Sequence, residues 1–569
     1  MTNPFKKHLT CTAFVFALLL ALPCAGQQNA NGGSHPLSSS QQQQLRAYIH
    51  TAWGTLSRSM TECRSLSDPK LKTKPVLYVP ADIQLPSAVQ ALESKCGVQV
   101  RRLPRPIHKM GDVKVSEVQP PGLLYLPNPY VVPGGRFNEM YGWDSYFIIR
   151  GLVQDGELDL ARDMIENFFF EIEHYGSILN ANRTYYFTRS QPPFLTSMIL
   201  AYYDAEKASG KQDSQWLARA YDFAQRDYAL WTHDPKLAGN TGLSRYFDLG
   251  EGPVPEMGDD PSYYADVTSS LLTLHDNTAE NYFGDDADSR SSQIGPVFDV
   301  QVCAEQSGKT AGQRYCSKMK RVSLSEDFYK GDRAMRESGF DPSFRFGPFD
   351  GSTHHYAPVC LNSLLYKAEQ DLAQMAEMLE RPQEAERWKQ LAEQRKSAIN
   401  RYLWSASAGM FFDYDFLRAR QSSYHYATTF YPLWAGLATP EQAQAVVHSV
   451  GLFERPGGIA MSDRVTGTQW DMPYGWAPLQ LLTVEGLRRY GFNDDADRIA
   501  QEFTSDVYDS FERDHTIREK YNVVTRSTGA QVATGYKTNE VGFGWTNGVT
   551  LVFMGQNGKS PVSPSNASR

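Results

Sequence analysis

The sequence has no run of basic residues, no zinc-finger spacing of Cys and His, and nothing that reads as a helix-turn-helix. With a net charge of −8 over 569 residues, these absences argue against nucleic acid as a partner and against a polyanionic substrate. There is no Gly-rich loop ending in Lys-Ser or Lys-Thr, so no phosphate cradle and no cofactor are expected. No segment beyond the N-terminus is apolar for long enough to span a bilayer. No stretch repeats at a fixed period, which counts against a solenoid. Cysteine is scarce, with seven in the chain, and no His accompanies them at ligand spacing, so no metal site is expected.

What is present begins at the N-terminus. Lys6, Lys7 and His8 make a basic start, Thr12 through Leu22 are largely apolar, and Cys24-Ala25-Gly26 offers small residues for cleavage. Residues 1–26 therefore read as a signal peptide, and the chain as periplasmic or secreted, free of the membrane after cleavage. A lipoprotein lipidated at Cys24 is the rival, but Pro23 fits that pattern poorly; an uncleaved anchor is a further rival. Cleavage leaves Cys63, Cys96, Cys303, Cys316 and Cys360, an odd number that requires a free thiol or an intermolecular bond. In an oxidising compartment Cys63–Cys96 and Cys303–Cys316 are candidate disulfides, with the connectivity open. Residues 27–43, rich in Gln, Ser, Asn and Gly, read as a flexible linker, and 557–569 as a disordered tail.

Between them, over 44–556, the dominant period is helical. Leu158, Ala161, Met164, Ile165, Phe168, Phe169 and Ile172 recur at three- and four-residue steps, as do Leu364, Leu365, Ala368, Leu372, Met375 and Leu379. Val76 to Val79 is the best strand candidate. Antiparallel helices in this number suggest a toroid, although helix counting does not close a ring. Aromatics make up 12% of the chain; they suit a sugar site and a helical core equally. Long loops near 128–147, 176–194, 240–263, 280–350, 456–478 and 522–548 are rich in Gly, Pro, Asn, Asp and aromatics, the place for chemistry on a rigid scaffold. The stretch 280–325 reads as a polar surface insertion.

In Pro133-Gly134-Gly135-Arg136-Phe137-Asn138-Glu139-Met140-Tyr141-Gly142-Trp143-Asp144-Ser145-Tyr146, a turn is followed by an Arg, a Trp and an Asp. Such groups can read sugar hydroxyls and stack on a ring; taken alone, Trp143-Asp144 reads equally as a helix start with a capping Asp. This segment resembles the first signature of the trehalases, glycoside hydrolase family 37. Gln469-Trp470-Asp471-Met472-Pro473-Tyr474-Gly475-Trp476-Ala477-Pro478 resembles the second. Gly542 to Val549 resembles the C-terminal block, and Asn180 to Arg183 with Arg189 to Pro193 is a fourth match. The matches stand in family order over roughly 120–555. The resemblance implies an all-α (α/α)6 barrel with long active-site loops, hydrolysing α,α-trehalose with inversion and without a cofactor or metal; a monomer is expected.

Inversion needs one protonated and one ionised carboxyl. Asp341, in Glu337-Ser338-Gly339-Phe340-Asp341, matches the family's general acid; Phe340 is placed to desolvate it and Glu337 to repel its ionised form. Glu519, in Arg518-Glu519-Lys520-Tyr521-Asn522, matches the general base, with Arg518 and Lys520 placed to keep it ionised. Sugar contacts fall by resemblance to Arg136, Phe137, Trp143, Asp144, Asn180, Arg189, Gln191, Glu256, Arg336, Gly339, Trp470 and Asp471. Val254-Pro255-Glu256 departs from the Arg-Pro-Glu of many periplasmic trehalases, and Arg336 is the candidate to supply the missing cation. Gly535 stands where the family has a sugar-contacting Glu, with Glu540 as the candidate substitute and Gly529 and Gly535 as lid hinges. Two other readings stay open: an inverting hydrolase of another small glycoside, and a non-catalytic sugar-binding protein.

Overall fold

The computed structural model describes residues 33–66, 74–259, 262–274, 281–284, 295–305, 314–529, 532 and 538–556, with the side chains of 258, 259 and 301–320 outside the description. The expected signal peptide, the tail 557–569, Gly535, and the sulfurs of Cys303 and Cys316 lie outside the described residues.

The helices that build the body are α1 (Ser39–Leu56), α2 (Asp144–Asp155), α3 (Leu158–His174), α4 (Leu195–Ala208), α5 (Ser214–Trp231), α6 (Tyr263–Thr273), α7 (Glu326–Ser338), α8 (Val359–Met378), α9 (Pro382–Tyr402), α10 (Tyr431–Ala435), α11 (Pro440–His448), α12 (Ala477–Arg489), α13 (Asn493–Asp514) and α14 (Gly544–Gln556). Six of them close a ring by packing in the order α2, α4, α8, α10, α12, α14 and back to α2. These inner helices are apolar on most of their faces; in α14 every residue from Gly544 to Met554 is buried. At the α2–α14 crossing Gly151 faces Gly548, and a Cβ on Gly151 would lie 2.3 Å from the Gly548 Cα, so this contact requires glycine.

Outer helices carry one apolar stripe. In α3 the predicted stripe is the buried face, Ala161, Met164, Ile165, Phe168, Phe169 and Ile172. Helices α3, α5, α9 and α13 each pack on the inner helix that precedes them. The outer partner of α14 is the N-terminal α1, so five of the six inner helices carry an outer helix, and the short α10 is followed in the chain by α11; the six-membered inner ring is that of an (α/α)6 barrel.

That last pair moves a boundary. Residues 39–43 belong to α1, not to a linker: Ser38 accepts from the Gln41 N–H and the Gln41 side chain accepts from the Ser38 N–H, a reciprocal cap that starts the helix inside the Gln-rich stretch. Leu45, Ile49, Ala52, Trp53 and Leu56 then bury one face.

Small sheets decorate the ring. Val76–Val79 is a buried strand, central in a parallel sheet between Gln99–Arg102 and Leu123–Leu124. The Cys63–Cys96 disulfide is formed beside it, and Cys360 is a buried free thiol. The insertion is more ordered than a surface loop: Val297–Glu305 and Arg314–Ser323 pair antiparallel, with Cys303 opposite Cys316 in backbone register.

Candidate active site

A cavity of about 590 Å³ gathers thirteen of the fourteen predicted site residues, Arg136, Phe137, Trp143, Asp144, Asn180, Arg189, Gln191, Glu256, Arg336, Gly339, Asp341, Trp470 and Glu519. Its size is ordinary for a small-molecule site. The chain reaches it from the turn before α2, the loop before α4, the end of α7, the loop before α12 and the strand Lys520–Asn522 before α14.

Asp144 is the first residue of α2, and Trp143 is its N-cap without a side-chain cap bond, so the capping alternative does not hold. The Asp144 carboxyl lines the cavity, and burial raises its pKa well above the usual range, with Glu519 and Asp341 adding repulsion. Gln191 holds the helix start, its Oε1 accepting from the Trp143 N–H at 3.0 Å. Asn180 Nδ2 donates to the Ser190 and Arg336 carbonyls, which ties two walls together. The Trp143 ring meets Phe340, Trp545 and Phe147 edge-on, and Trp470 stacks on Trp476 at 3.9 Å. Gly339 ends α7 at φ +79, and a Cβ there would lie 2.8 Å from the Trp143 ring. The site thus uses Gly339 for its backbone turn.

Asp341 follows directly. Its side chain keeps 36% exposure to the cavity mouth, while desolvation by the surrounding walls pushes its pKa up to about 7. Arg336, with Nη1 3.8 Å from Asp341 Oδ2, and Arg189 oppose that rise, and Glu256 adds to it. The repelling carboxylate is Glu256 and not Glu337. Glu337 is fully buried and accepts from Lys236 Nζ at 2.6 Å and from the Phe247 and Ser190 N–H groups. It fastens the loops behind the site; α7 ends at Ser338 and the chain turns at Gly339, so the helical neighbourhood of positions i and i+4 does not extend from Glu337 to Asp341.

Arg189 lies over the Tyr186 ring and pairs with Glu256. Arg189 Nε and Nη1 and Glu256 Oε2 have no hydrogen-bond partner among the described residues, so donors and an acceptor remain for a ligand. Arg336 also reaches Asp332 and lies over Tyr263. Val254 is buried in an apolar cluster with Tyr264, while Arg336 lines the cavity beside Asp341.

Glu519 is 1% exposed. Lys520 Nζ donates to its Oε2 at 2.9 Å. Arg518 does not share this task; it turns to Asp514 and the Asn539 carbonyl. Gln469 links the two carboxyl segments, its Nε2 donating to the Asp341 carbonyl at 2.6 Å and its Oε1 accepting from Lys520 at 3.2 Å.

Two candidates are displaced. Asp471 does not line the cavity; fully buried, it accepts from the Tyr424, Ser462, Thr466 and Thr468 hydroxyls and the Phe344 N–H, and so knots the loop before α12. Glu540 also stays outside, accepting from the Arg136 N–H at 3.1 Å and the Thr538 hydroxyl. Conversely, Gln469, Tyr186, Tyr263, Met257, Phe543 and Trp545 line the cavity without having been singled out. Gln469 and Trp545 stand inside the quoted signatures, but Tyr186, Tyr263 and Met257 carry no spacing signal.

The profile of the Trehalase family matches residues 34–558. The cytosolic neutral trehalase of Saccharomyces cerevisiae is 36% identical over 538 residues, covering 84% of this chain and 66% of that protein. The chain belongs to the trehalase family. The periplasmic trehalase of Xanthomonas campestris pv. campestris is 37% identical over 452 residues, with 76% of this chain and 68% of that one covered. The solved structure of the S. cerevisiae neutral trehalase superposes with a TM-score of 0.71 at 33% identity, covering 90% of this chain and 94% of that one. The chain spans somewhat under two-thirds of the length of the S. cerevisiae and Kluyveromyces lactis relatives. Trehalase relatives thus include cytosolic and periplasmic proteins.

Proposed function

We propose that this chain hydrolyses α,α-trehalose to two glucoses with inversion, Asp341 acting as general acid and Glu519 as general base. The observation that carries the reading is the pair itself: one cavity holds a carboxyl raised to about 7 and a second carboxyl against a buried lysine. Asp341 donates its proton to the glycosidic oxygen as that bond breaks. Glu519 takes a proton from a water molecule that attacks the anomeric carbon from the opposite face, for which the two carboxyls must stand about 6.5–9.5 Å apart. Arg189, Glu256 and Arg336 read hydroxyls through charge-assisted hydrogen bonds. Asp144, raised well above the carboxylate range, is suited to donate as well as accept. The names of the relatives support trehalose as the substrate.

The periplasm or the medium is the proposed location, supported by the basic and apolar N-terminal pattern and by the Cys63–Cys96 disulfide. Proton NMR of α,α-trehalose in the first minutes of reaction tests the activity. Equal early α- and β-glucose is expected; absence of glucose across the pH range would refute it.

A further inference from the structure

Outside the cavity, two imidazoles and a carboxylate converge. His354 and His355 stand in the short turn Thr353–His355 before α8, and Asp327 stands in the first turn of α7. His354 Nε2 and His355 Nε2 each lie 3.0 Å from the same Asp327 Oδ1, and one ligand atom from each residue falls within 4.8 Å of the others. We propose that Asp327, His354 and His355 form a binding site for a divalent transition-metal ion of the zinc class.

The donor set suits such an ion: imidazole nitrogens favour Zn, Co, Ni and Cu, and one carboxylate supplies negative charge. A tetrahedral ion with ligands at about 2.0–2.2 Å holds them about 3.4 Å apart, so the two histidine–carboxylate distances of 3.0 Å need to open only slightly. The backbone is already fixed. The His355 N–H donates to the Ser352 carbonyl, the Phe416 N–H donates to the His355 carbonyl, and Arg245 Nη1 donates to the His354 carbonyl. The site is also reachable: the imidazoles are 7% and 14% exposed, but the Asp327 side chain is 42% exposed, leaving one side for water as a further ligand. Spacing in the sequence gives no hint of it, since the histidines are adjacent and the carboxylate lies far upstream.

The location gives the ion a consequence. Helix α7 runs from Asp327 to the turn at Gly339 that presents Asp341, and the chain then returns to His354. An ion would clamp the two ends of this excursion and stabilise the folded chain by linkage.

The test uses the full chain without an affinity tag, stripped with EDTA and titrated with Co²⁺ and with Zn²⁺. Expected are Co²⁺ d–d absorption bands saturating at one ion per chain, their displacement by Zn²⁺, and a rise in Tm with either ion. His355→Ala and Asp327→Asn, whose melting in EDTA checks that they fold, should each lose the bands and the Tm rise. Lack of a saturable signal in the native chain, or a signal that survives both substitutions, would overturn the site and leave a hydrogen-bonded clamp.

Discussion

Asp341 and Glu519 line one cavity, yet the chain treats the two carboxyls in opposite ways. Asp341 has cations near it but, among the described residues, none closer than the 3.8 Å of Arg336, and desolvation raises it to about 7. Glu519 is almost fully buried and lies against Lys520, itself fully buried. An unpaired charge in an apolar setting is costly, so a buried carboxyl either keeps its proton or acquires a cation. The site uses one solution for each residue, the kind of difference that the proposed roles of acid and base require.

The largest expected effect comes from deleting the two groups. Asp341→Asn and Glu519→Gln should each lower kcat on trehalose by about a thousandfold or more, with Tm nearly unchanged. α-Glucosyl fluoride sharpens the contrast, because fluoride leaves without protonation. Asp341→Asn should recover on it, and Glu519→Gln should not. Equal behaviour of the two variants on the fluoride would break the assignment of roles.

The next effect tests the pairing. Lys520→Met removes the ammonium that donates to Glu519 Oε2, and kcat on trehalose should fall by about tenfold or more with KM little changed. On the other side, the raised Asp341 holds its proton up to about pH 7 and loses it above. The alkaline limb should therefore fall about tenfold per pH unit from near 7, and Glu256→Gln, by removing a neighbouring anion, should shift it down. A kcat indifferent to Lys520, or an alkaline limb indifferent to Glu256, would show that these neighbours do not set the two carboxyls apart.

Gln469 carries the comparison into positioning, since it joins the Asp341 carbonyl to Lys520. Gln469→Leu should lower kcat by about tenfold and change KM little, because a small misplacement of catalytic groups acts on the transition state more than on binding. A purely structural role would instead lower Tm and leave both limbs of the pH profile in place.

How far these roles were readable in the sequence is seen in the dipeptide Trp-Asp, which occurs in both signatures. Asp144 faces the cavity, whereas Asp471 is tied up by four hydroxyls and an amide. Those donors come from three separate stretches of chain, at Phe344, at Tyr424 and over Ser462 to Thr468, so only the folded loop distinguishes the two. The role of Glu337 is hidden for a similar reason: its partner Lys236 lies 101 residues upstream, a separation that no local pattern bridges. The outer helices were legible because their stripes are continuous. Ring closure was not, because α1 opens with Ser and Gln residues that mimic a linker, and its partner α14 lies at the other end of the chain.

Asp506 offers the smallest test, a carboxyl that resembles Asp341 in electrostatics but takes no part in the cavity. It is fully buried in α13, neither oxygen has a hydrogen-bond partner among the described residues, and burial pushes it up to about 7 despite Arg526. Its folded pKa is raised above the unfolded value, so the folded chain holds one more proton between about pH 4 and pH 7. Stability from this group is therefore full at the acid end of that window and is lost as pH rises through it. Asp506→Asn removes the proton from the balance, and the fall of unfolding free energy with pH should become shallower by about 1.4 kcal/mol per unit there, read from urea unfolding at a series of pH values. The kcat profile should stay as it was. If the slope does not change, Asp506 is ionised and paired in the folded chain, and burial alone does not hold a proton on this carboxyl.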